Sequence, residues 1–176
     1  MRHPKASEEK RQSFQQKVNT YQQQTKPIIY IDESGFAHDM PRTHGYALKG
    51  KRCFGDHHWN ARGRTNVIGA LLAGTLLTCW LCDFNVNSDV FHAWIINDLL
   101  PKLPENSVLI MDNATFHKRA DTQQAIQSAG HTIEYLPPYS PDLNPIEHKW
   151  AQTKAMRRKI KCSVEKLFEE KIWNQN

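Results

Sequence analysis

No apolar run in this chain reaches the roughly 20 residues that a membrane-crossing helix needs. The most apolar stretch, VIGALLAGTLLTCWLC (67–82), is interrupted by Gly69, Gly74 and two threonines and reads as two neighbouring strands. The opening residues, MRHPKASEEKRQ, lack the apolar core of a secretory signal, so the cytoplasm is the expected compartment. Cysteine is scarce: Cys53, Cys79, Cys82 and Cys162 are the four present. Cys79 and Cys82 have CxxC spacing, but no second pair follows at zinc-ligand distance, and residues three apart on a strand point to opposite faces. They are expected to be packing residues rather than a zinc or redox site. No nucleophile has a recognisable general base beside it in sequence, and no internal repeat is visible.

What is present is one domain's worth of chain, 176 residues with 39% hydrophobic content. Lysine and arginine total 23 against 18 acids, a net charge of +5. The basic residues cluster at ALKGKR (47–52), NARGR (60–64), HKRA (117–120) and KAMRRKIK (154–161). Such clusters suit a polyanion, and equally a solvated basic surface.

Patterning predicts the elements. Residues 1–26 are polar, with Ser7 placed to cap a helix and Phe14, Val18 and Tyr21 on one stripe; Pro27 ends it. This segment reads as a helical linker or docking helix before a domain over 27–176. IIYIDES (28–34) is a strand ending in carboxylates. Residues 35–64 form a long excursion of the kind that is usually functional or mobile. Two strands follow over 65–74 and 75–84, then a helix from Ser88 to about Leu100, the strand SVLIMDN, a short helix closed by Gly130, and the strand HTIEYLPP. NPIEHKWAQTKAMRRKIK is a strong helix with Asn144 as N-cap, Pro145 at its first position and basic residues in its last turns. Ser163 opens one more short helix. Five strands in this order predict a mixed sheet with helices on both faces.

Two strands run into an aspartate: IIYID and VLIMD. Isolated buried carboxylates are costly, because desolvation and mutual repulsion both oppose ionisation. If the strands are adjacent, Asp32 and Asp112 sit side by side and need a cation between them. Mg²⁺ suits such a site through its preference for oxygen ligands. Glu147 is the third candidate. As the third residue of its helix it fits a capping box, yet it also heads a face carrying Lys154 and Arg158 at i+7 and i+11. Glu33 points to the strand face opposite Asp32 and reads as a supporting or surface residue. His117 has two readings, a contact near a scissile phosphate or the metal's outer shell, and a loop histidine held by backbone. Trp150, one turn after Glu147, reads as a core anchor for its helix, and Pro137, Pro138 and Pro141 as stiffeners of the turn that aims it.

YIDES, MDNATFH and LPPYSPDLNPIEHKW, in this order, resemble the three catalytic blocks of the mariner-type DDE transposases, a group that includes bacterial insertion-sequence transposases. The likeness spans about residues 27–160, and the 34 residues between Asp112 and Glu147 match the group's spacing. It implies an RNase H-like fold with Asp32, Asp112 and Glu147 as a metal-binding triad for two Mg²⁺ ions, with Mn²⁺ as a substitute. It implies DNA cleavage and strand transfer at the ends of an insertion sequence, on double-stranded DNA, by a homodimer. GYALKGKR (45–52) is similar to a segment that helps hold DNA, so Lys49, Lys51 and Arg52 join His117, Lys154 and Arg158 as expected DNA contacts. The resemblance places the protein with bacterial nucleoid DNA. The 26 residues before the first strand are too few for the helix-turn-helix region that full-length relatives carry, so a separately encoded or frameshift-joined recognition domain is expected. A truncated remnant that binds DNA or a partner transposase, and an RNase H-like nuclease that cuts without joining, are the alternatives.

Overall fold

The computed structural model describes residues 5–39, 48–51 and 63–169. Its centre is a five-stranded sheet in the order β3-β2-β1-β4-β5. β1 (Ile28–Ala37), β2 (Arg64–Leu72) and β3 (Thr75–Cys82) form an antiparallel meander. Ala73 and Gly74, both at positive φ (48° and 83°), make the tight turn between β2 and β3. β4 (Val108–Met111) runs parallel to β1, and β5 (Thr132–Tyr135) parallel to β4. The mixed sheet read from the element order is therefore the one that forms.

Helices cover both faces. α2 (Ser88–Trp94) and α3 (Ala120–Ser128) lie on one side, where Phe91, Trp94 and Ile126 pack on Ile29, Ile31, Leu109 and Met111. α4 (Pro145–Ile160) and α5 (Val164–Glu169) lie on the other, packing Ile146, Trp150, Leu167 and Phe168 on Phe36, Val67 and Leu71. α1 (Glu8–Gln23) shares that second face, with Phe14 and Val18 against Val108, Ile110 and Leu136. All four residues of β4 are buried, which is why its sequence is an unbroken apolar run.

Three boundaries differ from expectation. β1 continues three residues past Ser34, because antiparallel pairing with β2 extends to Ala37 opposite Arg64. The cap of α2 is Asn87, whose side chain accepts from the backbone N–H groups of Asp89 and Val90 at 3.0 and 2.9 Å, and not Ser88. Beyond Trp94 that helix widens into a π segment (Ile95–Leu99) and tightens into a 3₁₀ turn ending at Lys102.

The β1–β4 pairing positions the site. Its register places Tyr30 opposite Ile110. Two residues further on, Asp32 and Asp112 fall level, but there β4 has ended while β1 runs on beside β2 alone. The sheet splits at that point, and the gap is where the acids lie.

Candidate active site

Asp32, Asp112 and Glu147 line one cavity of about 270 Å³, together with Asn113, the Pro137–Pro141 turn and Asn144. Each acid comes from a different element: the middle of β1, the residue after β4, and the first turn of α4. Asp32 is thus not a strand-end residue as expected. It is a mid-strand one, held by main-chain pairing with Gly69.

Gly69 also lets α4 approach. A Cβ there would stand 2.6 Å from Cη2 of Trp150, closer than real contacts allow. With only a hydrogen in the way, the indole reaches β2, 1% exposed and in an edge-on contact with Phe36. Its Nε1–H donates to Asp32 Oδ2 at 3.1 Å. Trp150 is a core anchor, and in addition ties the helix that carries Glu147 to the carboxylate on β1.

The electrostatics differ sharply between the two aspartates. Burial pushes the Asp32 carboxyl up to about 8, with the neighbouring charges of Glu147, Glu33 and Asp112 adding to it. Asp112 is held below the usual carboxylate range, first by its hydrogen bond with His117 and then by the backbone N–H of Ala114, with desolvation opposing. His117 contacts Asp112 Oδ1 through Nδ1 at 2.7 Å and Glu33 Oε1 through Nε2 at 2.9 Å. Burial alone would lower its pKa; the two carboxylates outweigh that and raise it to about 9.

This geometry corrects the DNA-contact reading of His117. Its side chain has no exposed surface, packs against the rings of Phe91 and Phe116, and has both nitrogens occupied. Its ring contacts side-chain carboxylates, those of Asp112 and Glu33, rather than backbone. Glu33 is the supporting residue of the pair expected for it, with 19% side-chain exposure.

Lys154 and Arg158 extend from Glu147 along α4. The Lys154 ammonium stands 5.2 Å above the Phe36 ring. Burial lowers its pKa, against the opposing pull of Glu147 and Asp32. Arg158 is exposed. Arg157, part of the same basic cluster, is not a surface cation: it is 6% exposed and donates to the carbonyls of Ala37, His38 and Cys162. Lys49 and Lys51 are exposed, whereas Arg52, His57, His58 and Trp59 lie outside the described residues. Arg119, in the HKRA cluster, is engaged by Asp121 and Asp89.

Among the described residues, no three Asp, Glu, His or Cys side chains stand close enough together to enclose one ion. The three acids share a cavity without converging on a single point. The donor set nevertheless fits a hard divalent cation: carboxylate oxygens, one of them kept from ionising by burial and, after that, by its like-charged neighbours. Asn144 adds to the fit. Its Oδ1 is buried on the same cavity with no donor, and the helix cap bond expected of it is not made. An orphan acceptor of this kind is what the water shell of a bound cation satisfies.

A mixed five-stranded sheet in this order, with helices on both faces and acids on a cavity where β1 and β4 part, is the RNase H-like fold. The family model described as DDE superfamily endonuclease matches residues 27–167, and the chain belongs to that family. No curated protein sequence matches it. Among solved structures, it is similar to the Mos1 strand transfer complex, with 17% identity and a TM-score of 0.74 over 95% of this chain and 54% of that one. It is also similar to the Mos1 transposase paired-end complex with left transposon end (18%, TM-score 0.71, 89% and 51%) and to the catalytic domain of Mos1 mariner transposase (14%, TM-score 0.68, 100% and 86%). These likenesses establish the fold. The chain spans about half the length of the Mos1 chains in the DNA complexes.

Proposed function

We propose that this chain is the catalytic domain of a mariner-type DNA transposase, acting on the ends of an insertion sequence. The observation that carries the reading is the meeting of Asp32, Asp112 and Glu147 on one cavity of an RNase H-like sheet, with each acid delivered by a separate element. Family membership and the Mos1 complexes with transposon ends support the substrate class. Mos1 paired-end complexes solved with Mg and with Mn support a divalent cation. Two ions held by Asp32, Asp112 and Glu147 and a homodimer on DNA complete the proposal.

The divalent cations, when bound, supply charge neutralisation at the attacked phosphate and at the attacking and leaving oxygens. The chain's own residues supply placement. Asp32, fixed by β1–β2 pairing and by the Trp150 indole, does not swing away when its neighbours ionise. Asp112 turns an exposed edge toward the cavity while its other oxygen is held by protein donors. Glu147 rides on α4, whose exposed basic side, with Lys154 and Arg158, faces the backbone of the bound strand; Lys49 and Lys51 add contacts from their loop. In such a site the oxygen of water attacks a phosphodiester and the bond to the departing 3′ oxygen breaks, freeing a 3′-OH. That hydroxyl oxygen then attacks a target phosphodiester in line, forming a new P–O bond while the bond from that phosphorus to the target's 3′ oxygen breaks and leaves a target 3′-OH. Phosphoryl transfer of this kind asks a protein for positioning and charge more than for covalent chemistry.

The test uses DNA carrying the sequences that flank the reading frame. Mg²⁺-dependent cleavage followed by joining to a second duplex is expected, and its loss in Asp112→Asn with folding intact. Cutting without joining would mark a nuclease, and DNA binding without cutting a non-catalytic remnant.

A further inference from the structure

Three features are left unused by this reading: the exposed Tyr139 on the same cavity, the groove between α1 and β5, and the pair formed by the half-buried Glu33 and the buried His117. The last carries an inference. We propose that Glu33 and His117 are positioning residues that brace Asp32 and Asp112 against each other, so that the metal site is assembled before a cation arrives. The proposal deepens the functional reading above and rests on it.

The geometry has three parts. Glu33 is covalently next to Asp32 on β1, and its carboxylate holds the Nε2 side of the imidazole at 2.9 Å. The Nδ1 side holds Asp112 Oδ1 at 2.7 Å. A single rigid ring therefore spans from the strand of one metal-site acid to the side chain of the other. That span crosses the point where β4 has ended and no main-chain ladder joins the two. Asp32 and Asp112 repel when both ionise, and while the Asn113 amide ties the loop after Met111 to the Leu136 carbonyl, the imidazole is what ties the Asp112 side chain back toward β1.

The ring itself is fixed. It has 0% side-chain exposure and is packed against Phe91 and Phe116, with centroids 4.4 and 4.2 Å away. The brace also selects which atom of Asp112 faces the cavity. Oδ1 accepts from His117 and from the Ala114 N–H at 2.8 Å, so Oδ2 is the oxygen left to bind a cation. Outer partners that orient a ligating group in this way typically set metal affinity by about 10–100-fold.

The experiment measures Mn²⁺ uptake by the chain from the paramagnetic resonance of free Mn²⁺. Melting temperature in EDTA and binding of duplex DNA in EDTA are recorded beside it. Glu33→Ala and His117→Ala are expected to weaken Mn²⁺ binding about 10–100-fold. Glu33→Gln, which keeps an oxygen facing Nε2, is expected to recover most of the affinity. Because His117→Ala empties a buried space, the two Glu33 variants carry the decision. Parent-like Mn²⁺ affinity in Glu33→Ala overturns the brace. So does equal loss in Glu33→Gln and Glu33→Ala, which would make charge rather than orientation the cause. A fall of metal affinity only in step with melting temperature and EDTA-phase DNA binding would reduce the pair to a folding element and also overturns it. A parent chain that takes up no Mn²⁺ instead overturns the metal reading of the site, and this inference with it.

Discussion

Asp32 carries a cost that the free chain does not relieve. Its folded pKa of about 8 lies above its ordinary value of 3.8, so the folded state resists losing that proton. A carboxyl raised in this way contributes stability while protonated and loses it as pH climbs from about 4 to about 8. His117, raised to about 9 from 6.5, has the same sign: its contribution is full below its unfolded value and is lost as pH rises through 9. Asp112, held low, acts oppositely, and its contribution disappears only as pH falls through its folded value. In EDTA the melting temperature is therefore expected to fall between pH 6 and pH 9. Asp32→Asn should flatten that slope and exceed the parent in stability at pH 8, with no gain near pH 4. Calorimetry across that range checks it; a parent that becomes more stable toward pH 9 would contradict the buried, like-charged setting of Asp32. Added Mg²⁺ should raise the parent most at the alkaline end, since a cation takes the place of the proton.

Between elements, the decisive contact is α4 against the β1–β2 ladder. Gly69 is invisible as a functional residue in sequence, where it reads as a break in an apolar run. In the fold it is the space into which Trp150 fits, and Trp150 connects Glu147's helix to Asp32. Gly69→Ala is expected to destabilise the fold by about 1–3 kcal/mol through overpacking, because the clash is with a rigid ring. Cleavage should fall by more than that stability loss accounts for, since the Trp150–Asp32 hydrogen bond goes with the ring. Denaturant unfolding measured beside single-turnover cleavage separates the two effects. The boundaries of α4 were legible, because Pro145 and the terminal basic residues act locally. The length of β1 was not: nothing in IIYIDESGFA says that a partner strand will hold it through Ala37.

Across the whole molecule, α1 is more than a connecting segment in its contacts. Phe14 and Val18 close the outer side of β4, and Arg11 makes a two-pronged bond to Asp142, at 2.9 and 2.7 Å, in the turn that leads into α4. Lys17 and Tyr21 both reach Glu134 on β5. Phe14→Ala is expected to cost about 3 kcal/mol, the usual range for emptying a buried phenylalanine site. Arg11→Ala should cost about 1 kcal/mol or less, because its pair lies at the surface. Chemical denaturation orders the two, and a reversed order would mean that the ion pair and not the apolar stripe seats the helix. On the side proposed to face DNA, Arg158→Ala should weaken duplex binding and reduce its dependence on salt concentration, by about one phosphate's worth of slope. Arg157→Ala should act on stability instead, as its buried guanidinium serves three main-chain carbonyls. Equal salt slopes for Arg158→Ala and the parent would remove the basic side of α4 from the proposed DNA path.

The sequence by itself determined the element order, the mixed sheet, the apolar faces and the three acids worth following. Each of these is written in short-range terms: periodicity, capping residues, and carboxylates set where apolar runs stop. Only the tertiary structure decided that Asp32 lies inside its strand, that His117 is enclosed between Glu33 and Asp112, that Arg157 turns inward while Arg158 does not, and that Gly69 admits Trp150. Those outcomes depend on which side chains meet across elements dozens of residues apart. Such meetings are set by strand register and close packing, which no local pattern of residues encodes.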